Sequence, residues 1–377
     1  MGLVRRATPL QRRLLLASIA VSAVILLFAK AKNGVYLGCL TDHFHHARAT
    51  WNFFRLGFDV YGTTHGQACA TVPYPHEPRY TCTWETWPVA YPPGMFVVFA
   101  LPAVVGRIAW LSDLELGKFI VGYLVLLTHA ALWAFSTLAR RVGSHVWTAV
   151  VAVFWIFMVR TALMGLYEGA WILTATLAVD ALRRSLPARS LLWLAATALL
   201  SYRAVCLVPL AVVALAKLPR SNETMPAKVS SVAVGGVAVV IVIACARALL
   251  RYGPGELGHS AFIPLQPYGL LLLGVGIAVA VFTAVNGSLL VAACVAFSSF
   301  LSLYHAGHNW HATVLVTPLF AIVLARRPPL ATQIALGLWL VFYLQYVFGY
   351  PPLIWLDELL RFVERGGRPG CLLPFES

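Results

Sequence analysis

Apolar runs of roughly membrane-spanning length recur along the whole chain, and the basic residues collect in the breaks between them. Arg5, Arg6, Arg12 and Arg13 precede the first run. Arg140 and Arg141, then Arg183, Arg184 and Arg189, then Lys217, Arg220 and Lys228, then Arg326 and Arg327 mark later breaks. A water-soluble domain does not tolerate this pattern: 60% of the residues are hydrophobic and 11% charged, where roughly 25% charged is ordinary. A backbone in lipid must satisfy its own hydrogen bonds, so the expected fold is all-α, a polytopic transmembrane helical bundle.

Placing every basic break on the cytoplasmic side satisfies the positive-inside rule. The expected spans are then 14–30, 118–139, 145–160, 168–182, 190–202, 203–217, 228–247, 267–284, 288–304, 311–325 and 331–349, about 11 crossings, several of them shorter than a typical span of about 20 residues. Leu14 to Ala29 reads as a first anchoring span rather than a removable signal peptide, because it is long and Leu-rich and lacks a cleavage site. The run from Met95 to Trp110 is different. Counting it as a full crossing would invert every later loop, so it reads as re-entrant or as half of a tight pair.

This organisation is one membrane domain over 1–377, with a long first extracytoplasmic loop over 31–94 that contains short amphipathic helices. Segment 353–365 alternates apolar and charged residues at helical spacing and reads as an interfacial helix. No internal repeat or linker marks a second domain. The net charge of +14 lies in clusters at segment ends rather than in one patch, so membrane lipids are partners and nucleic acid is not. Seven cysteines include no CxxC pair, which removes zinc-ribbon and thiol-redox motifs. Cys69 and Cys82 share the first loop and suit a disulfide in an oxidising compartment, with Cys39 and Cys371 as competing partners.

Chemistry-bearing residues gather on the expected outer face. Asp42 lies just beyond the first span beside His43, His45 and His46, and at helical spacing Asp42 shares a face with His45 and His46. A carboxylate there can serve as a general base or help hold a divalent cation, although the spacing matches no specific zinc motif. A solvated interfacial cluster is the plainer alternative. Asp59, in Gly57-Phe58-Asp59-Val60-Tyr61, and Tyr91, in Tyr91-Pro92-Pro93-Gly94, follow in the same loop as pocket candidates. The two prolines set the chain direction and speak against a regular helix at that point.

Arg203 lies between two apolar runs, a costly place unless it is paired or faces water. A phosphate is a suitable partner, and pairing to an acid such as Glu168 is the alternative. Glu168 itself is a pocket candidate or one half of an ion pair, with Arg160 nearby in sequence. His305, His308 and His311 recur at intervals of three at the outer end of a late span, and Arg251 borders the last long outer loop. They are candidates for phosphate contact (His308, His311, Arg251) or pocket lining (His305), with an interfacial role as the alternative.

An Asp shortly after the first span, a Gly-x-Asp-x-Tyr-like element and a Tyr-Pro-Pro opening the next apolar segment together resemble the GT-C superfamily of membrane glycosyltransferases. The likeness continues through Arg140-Arg141 and through Tyr202-Arg203 followed by Pro209. It implies an integral, multi-pass, inverting glycosyltransferase, with mannosyl transfer among its activities. The donor implied is a polyprenyl-phosphate sugar and the acceptor a hydroxyl of a glycan, lipid or protein. The site would face the periplasm or exterior of a bacterial inner membrane, or the lumen of the endoplasmic reticulum. Asp42 matches the superfamily's catalytic carboxylate. Arg203 stands where such enzymes hold the carrier phosphate. His43 departs from the second acid of some families. A polysaccharide polymerase or ligase, an acyltransferase, and a transporter or flippase of lipid-linked sugars are the competing readings.

Overall fold

The structure, a computed structural model, describes residues 42–61, 70–73, 78–81, 92–111, 113–139, 167–251, 267–302, 316–325 and 328–348, with isolated Leu16, Ala20 and Ala162. The described part is a helical bundle with one small two-stranded ribbon. In chain order the helices are α1 (Asp42–Leu56), α2 (Gly94–Ile108), α3 (Asp113–Ala139), α4 (Glu168–Arg183), α5 (Pro187–Leu200), α6 (Val208–Lys217), α7 (Met225–Arg251), α8 (Pro267–Val285), α9 (Leu289–Ser302), α10 (Val316–Leu324) and α11 (Leu330–Phe348). Tight 3₁₀ turns follow α1 at Gly57–Tyr61 and lead into α6 at Tyr202–Leu207. Strands β1 (Ala70–Pro73) and β2 (Pro78–Thr81) pair antiparallel, Ala70 opposite Thr81 and Pro73 opposite Pro78.

Helices α2 to α11 fall on apolar runs, α1 lies in the expected first loop, and the expected span 145–160 lies outside the described residues. Two are long and apolar enough to cross a membrane by length and composition, Glu115–Ala139 within α3 and Met225–Cys245 within α7. The second keeps most of its surface exposed, and that surface is apolar: Val229, Val232, Val237, Val240 and Ile243 all point outward. An exposed face of this kind is stable only against an apolar solvent or partner.

The Pro-Pro-Gly element differs from expectation. Pro93 is the N-cap of α2 in helical geometry (φ −65°, ψ −19°), and the amides of Met95 and Phe96 donate to the Pro92 and Pro93 carbonyls at 3.1 Å. The prolines start the helix rather than forbid it, because first-turn N–H groups have no intrahelical acceptor to lose. The run expected over 203–217 is also divided. Tyr202–Leu207 forms a 3₁₀ turn on a Ser201 cap before α6 begins. The ribbon was not anticipated, since the first loop read as helical segments alone.

Two packed clusters form two tiers. The lower one joins Leu132, Phe135, Trp171, Val295, Phe320 and Trp339 across α3, α4, α9, α10 and α11. The upper one joins Ala47, Met95, Phe96, Phe99, Ile120 and Leu124 across α1, α2 and α3, and takes in Tyr167. Glycine contacts set their dimensions. A Cβ on Gly169 would lie 2.6 Å from Thr128 Cα, so α4 starts beside the middle of α3. A Cβ on Gly106 would lie 2.7 Å from Leu116 Cδ1, and one on Gly94 2.5 Å from the Leu199 carbonyl oxygen. Helix α2 therefore climbs from the end of α5 to the start of α3, and the twelve residues between Leu116 and Thr128 make the upper tier about 18 Å tall. The lower tier is α4 and α5, of 16 and 14 residues, or about 21–24 Å.

At the far end of the lower tier, Glu223 caps α5. Its carboxylate accepts from the amides of Ala188 at 2.7 Å and Arg189 at 3.2 Å, placing negative charge on the positive end of the helix. Arg184 closes back on Asp180 at 2.7 Å beside the same turn.

Candidate functional site

Where the two tiers meet, the packing turns polar. Glu168 is the first residue of α4, buried to 4% exposure, and its carboxylate pairs with the Arg203 guanidinium. The indole of Trp171, one turn along α4, donates to the other carboxylate oxygen. The position suits an acid, because the first turn of a helix presents unpaired N–H groups and positive potential. Arg203 comes from the 3₁₀ turn after α5, where Ser201 Oγ accepts from its backbone amide at 3.2 Å. The break at Ser201 supplies what a continuous helix could not: a side chain turned back into the bundle at the level where α4 begins.

Tyr167 ties this pair to the upper tier. Its hydroxyl donates to the Leu200 carbonyl at 3.1 Å, the last residue of α5. Its ring meets His46 of α1 edge-on with centroids 5.8 Å apart, and Phe99 of α2 at 5.8 Å. His46 also stacks at a tilt on Phe99 at 5.0 Å and is buried. Gly94, at the head of α2, abuts Leu199 and Leu200. Helices α1, α2, α4 and α5 thus converge on Tyr167 and Glu168.

Two hydroxyls add to the polarity. Thr128 Oγ1, against Gly169, and the Tyr202 hydroxyl are buried and make no hydrogen bond. Buried polar groups are nearly always satisfied, so two such hydroxyls, one packed against Gly169 and one on the residue before Arg203, are exceptions among the described residues.

The expected residues distribute as follows. Glu168 and Arg203, each a candidate on its own, are brought together as partners. Arg160, the other partner considered for Glu168, lies outside the described residues. His46 is buried in an aromatic box with Phe99 and Tyr167. Asp42 opens α1, one turn before His46 and on the same stripe of the helix, and His45 precedes His46. Asp59 falls in the 3₁₀ turn after α1, and Arg251 ends α7. The side chains of Asp42, His45, Asp59 and Arg251 lie outside the described residues, as do Cys69, Cys82, Tyr91, His305, His308, His311, all of the first expected span but Leu16 and Ala20, and segment 353–365. Among the described residues, no group of three or more His, Cys, Asp or Glu forms a metal cluster.

Sequence reasoning did not single out Tyr167 or Trp171. The signal was present for Trp171, three residues after Glu168 and so on the same helical face. Tyr167 carried none, because its partners come from α1, α2 and α5.

Comparison with protein-family models, with curated proteins and with solved structures gives no match to this chain.

Proposed function

We propose that the protein is a multi-pass membrane glycosyltransferase that moves a sugar from a polyprenyl-phosphate carrier to an acceptor hydroxyl at the extracytoplasmic face. One observation carries the reading: the helix opened by Asp42, the Pro-Pro-Gly start of α2 and the break that delivers Arg203 all meet at Tyr167 and Glu168. These are the elements on which the GT-C resemblance rests, and chain separation gives no reason for them to meet.

In this reading Asp42 accepts the acceptor's hydroxyl proton as the oxygen attacks the anomeric carbon. The bond to the carrier phosphate breaks on the opposite side, giving inversion and a polyprenyl phosphate. Arg203 stabilises the charge gathering on that phosphate. Glu168 and Trp171 are positioning residues: Glu168 holds the guanidinium, and Trp171 orients the Glu168 carboxylate. The apolar runs are read as about 11 crossings, with the basic breaks inside.

The test is transfer by purified protein from a panel of polyprenyl-phosphate sugars and nucleotide sugars. Asp42→Asn is expected to abolish transfer while leaving donor binding intact, and Arg203→Ala to weaken donor binding. Full turnover by a folded Asp42→Asn protein would refute the assignment.

The burial of the ion pair favours a second reading, a transporter or flippase of lipid-linked sugars. Helices α4 and α5 are about 21–24 Å long and end at the pair, short of a hydrocarbon core of about 30 Å. Charges within the membrane's thickness at the ends of interrupted helices are common in transporters. Proteoliposomes separate the two: movement of a lipid-linked sugar between leaflets without transfer to an acceptor supports transport, and transfer without movement supports the enzyme.

A further inference from the structure

The end of α2 remote from Glu168 carries a second cationic feature. Arg107, exposed in the last turn of α2, lies over two indoles, 6.0 Å from the Trp51 ring centroid and 5.6 Å from that of Trp110. No acid among the described residues pairs with it. Glu115, exposed on the first turns of α3, has a contact of its own.

Trp110 is an unusual residue for its backbone. It closes α2 at φ 51°, where glycine is the ordinary occupant, and Leu111 N donates back to the Gly106 carbonyl at 3.2 Å across it. A large side chain held in that region despite the penalty, and 82% exposed, points to a role outside the fold's own packing. Toward Glu168 from this pair, α2 presents Val97 and Leu101 outward, at 75% and 51% exposure, and Ile108 stands outward beside the pair itself at 70%. At spacings of four and seven they form one stripe.

The tier dimensions say where this end lies in a bilayer. The lower tier alone, about 21–24 Å, is thinner than a hydrocarbon core of about 30 Å. The core must therefore extend into the upper tier, and the part of the stripe nearer Glu168, Val97 and Leu101, faces acyl chains. Arg107 and Trp110, beside Leu116 and about 35 Å along α3 from Ala139, then reach headgroup level.

We propose that Trp51, Arg107 and Trp110 form a binding site for the phosphate of one membrane phospholipid, whose acyl chains lie along Val97 and Leu101. The indoles hold the guanidinium plane by cation–π contact and leave its N–H edges to the phosphate oxygens. The assignment rests on the membrane placement of the chain and is independent of glycosyl transfer.

The experiment is native mass spectrometry of the purified protein titrated with dioleoylphosphatidylglycerol, alongside Arg107→Ala, Trp110→Ala and, as a control cation at the opposite end, Arg184→Ala. Arg107→Ala is expected to weaken the tightest lipid adduct about tenfold, as loss of a charge-assisted contact implies. Trp110→Ala should weaken it less, and Arg184→Ala should leave it unchanged. Equal affinity in wild type and Arg107→Ala overturns the site. Wild type with no lipid adduct at all overturns the site as well. Displacement of the lipid by millimolar inorganic phosphate would show a free-anion site and overturn the lipid assignment. In bilayers, bromines high on the acyl chain should quench more fluorescence in wild type than in Trp110→Phe; equal quenching overturns the interfacial placement even if Arg107→Ala fails to fold.

Discussion

Glu168 and Arg203 stand 35 positions apart in the chain and form an ion pair between the start of α4 and the turn after α5, with neither side chain more than about a tenth exposed. Removing one partner strands the other. Glu168→Gln is expected to destabilise the protein by about 3–5 kcal/mol, the usual cost of an uncompensated buried charge. Pairing it with Arg203→Met should recover much of that loss. Thermal or denaturant unfolding in detergent reads both, and a full additive loss in the double variant would contradict a direct pair.

Activity should divide differently at the two proposed functional residues. Loss of a general base lowers turnover by about 10²–10⁴-fold, so Asp42→Asn should reduce kcat at nearly constant donor KM. Arg203→Ala should raise donor KM, and Arg203→Lys should restore part of it. Equal effects of Asp42→Asn and Arg203→Ala on both constants would mean that the roles are misassigned.

Gly94 is expected to be intolerant for steric reasons. An added Cβ would sit 2.5 Å from the Leu199 carbonyl oxygen and 2.9 Å from Leu200 N, both rigid backbone atoms. Gly94→Ala should cost about 1–3 kcal/mol through overpacking and should disturb Arg203, which follows the displaced segment. Gly122, with nothing within 4 Å of the corresponding position, is the control. Gly122→Ala should be neutral or mildly stabilising.

Glu223 gives a prediction at the opposite end. Its carboxylate caps α5 from 35 residues away, so Glu223→Ala should cost about 1 kcal/mol. The effect should appear as faster hydrogen exchange in the 185–190 turn, without change in donor affinity.

A last prediction concerns the ribbon. Ala70 and Thr81 are the outermost register partners, Cys69 precedes the first and Cys82 follows the second. If the loop faces an oxidising compartment, peptide mapping without reductant should recover these two cysteines as one disulfide-linked pair. Free thiols at both, in protein from an oxidising host compartment, would argue against the assigned sidedness.

The helices were largely legible from hydropathy. The run expected over 168–182 is Glu168–Arg183, that over 267–284 is Pro267–Val285, and that over 288–304 begins at Leu289. The basic breaks between apolar runs located these segments, and the reading of proline misled where it serves as a helix start, at Pro92 and Pro93. The division of 203–217 was harder to foresee, because Ser201 is a weak local signal and the 3₁₀ turn is supported by tertiary contacts such as Thr317 Oγ1 donating to the Cys206 carbonyl at 2.8 Å. At the site, the cost of a charge among apolar runs flagged Glu168 and Arg203 separately. Their pairing depends on how four helices cross at Tyr167, information spread over residues 46 to 203 and absent from any local window.

The brevity of α4 and α5 also bears on how such a protein is made. On the proposed membrane placement, helices of 16 and 14 residues, joined by the turn at Ser185 and Leu186, are too short to settle singly across a bilayer as they leave the ribosome. Each would strand its polar end, Glu168 or Arg203, in lipid. Insertion as a hairpin solves both problems, because the ionised ends emerge side by side and neutralise each other. The nascent chain must then be synthesised through Arg203 before either helix can be released from the insertion machinery.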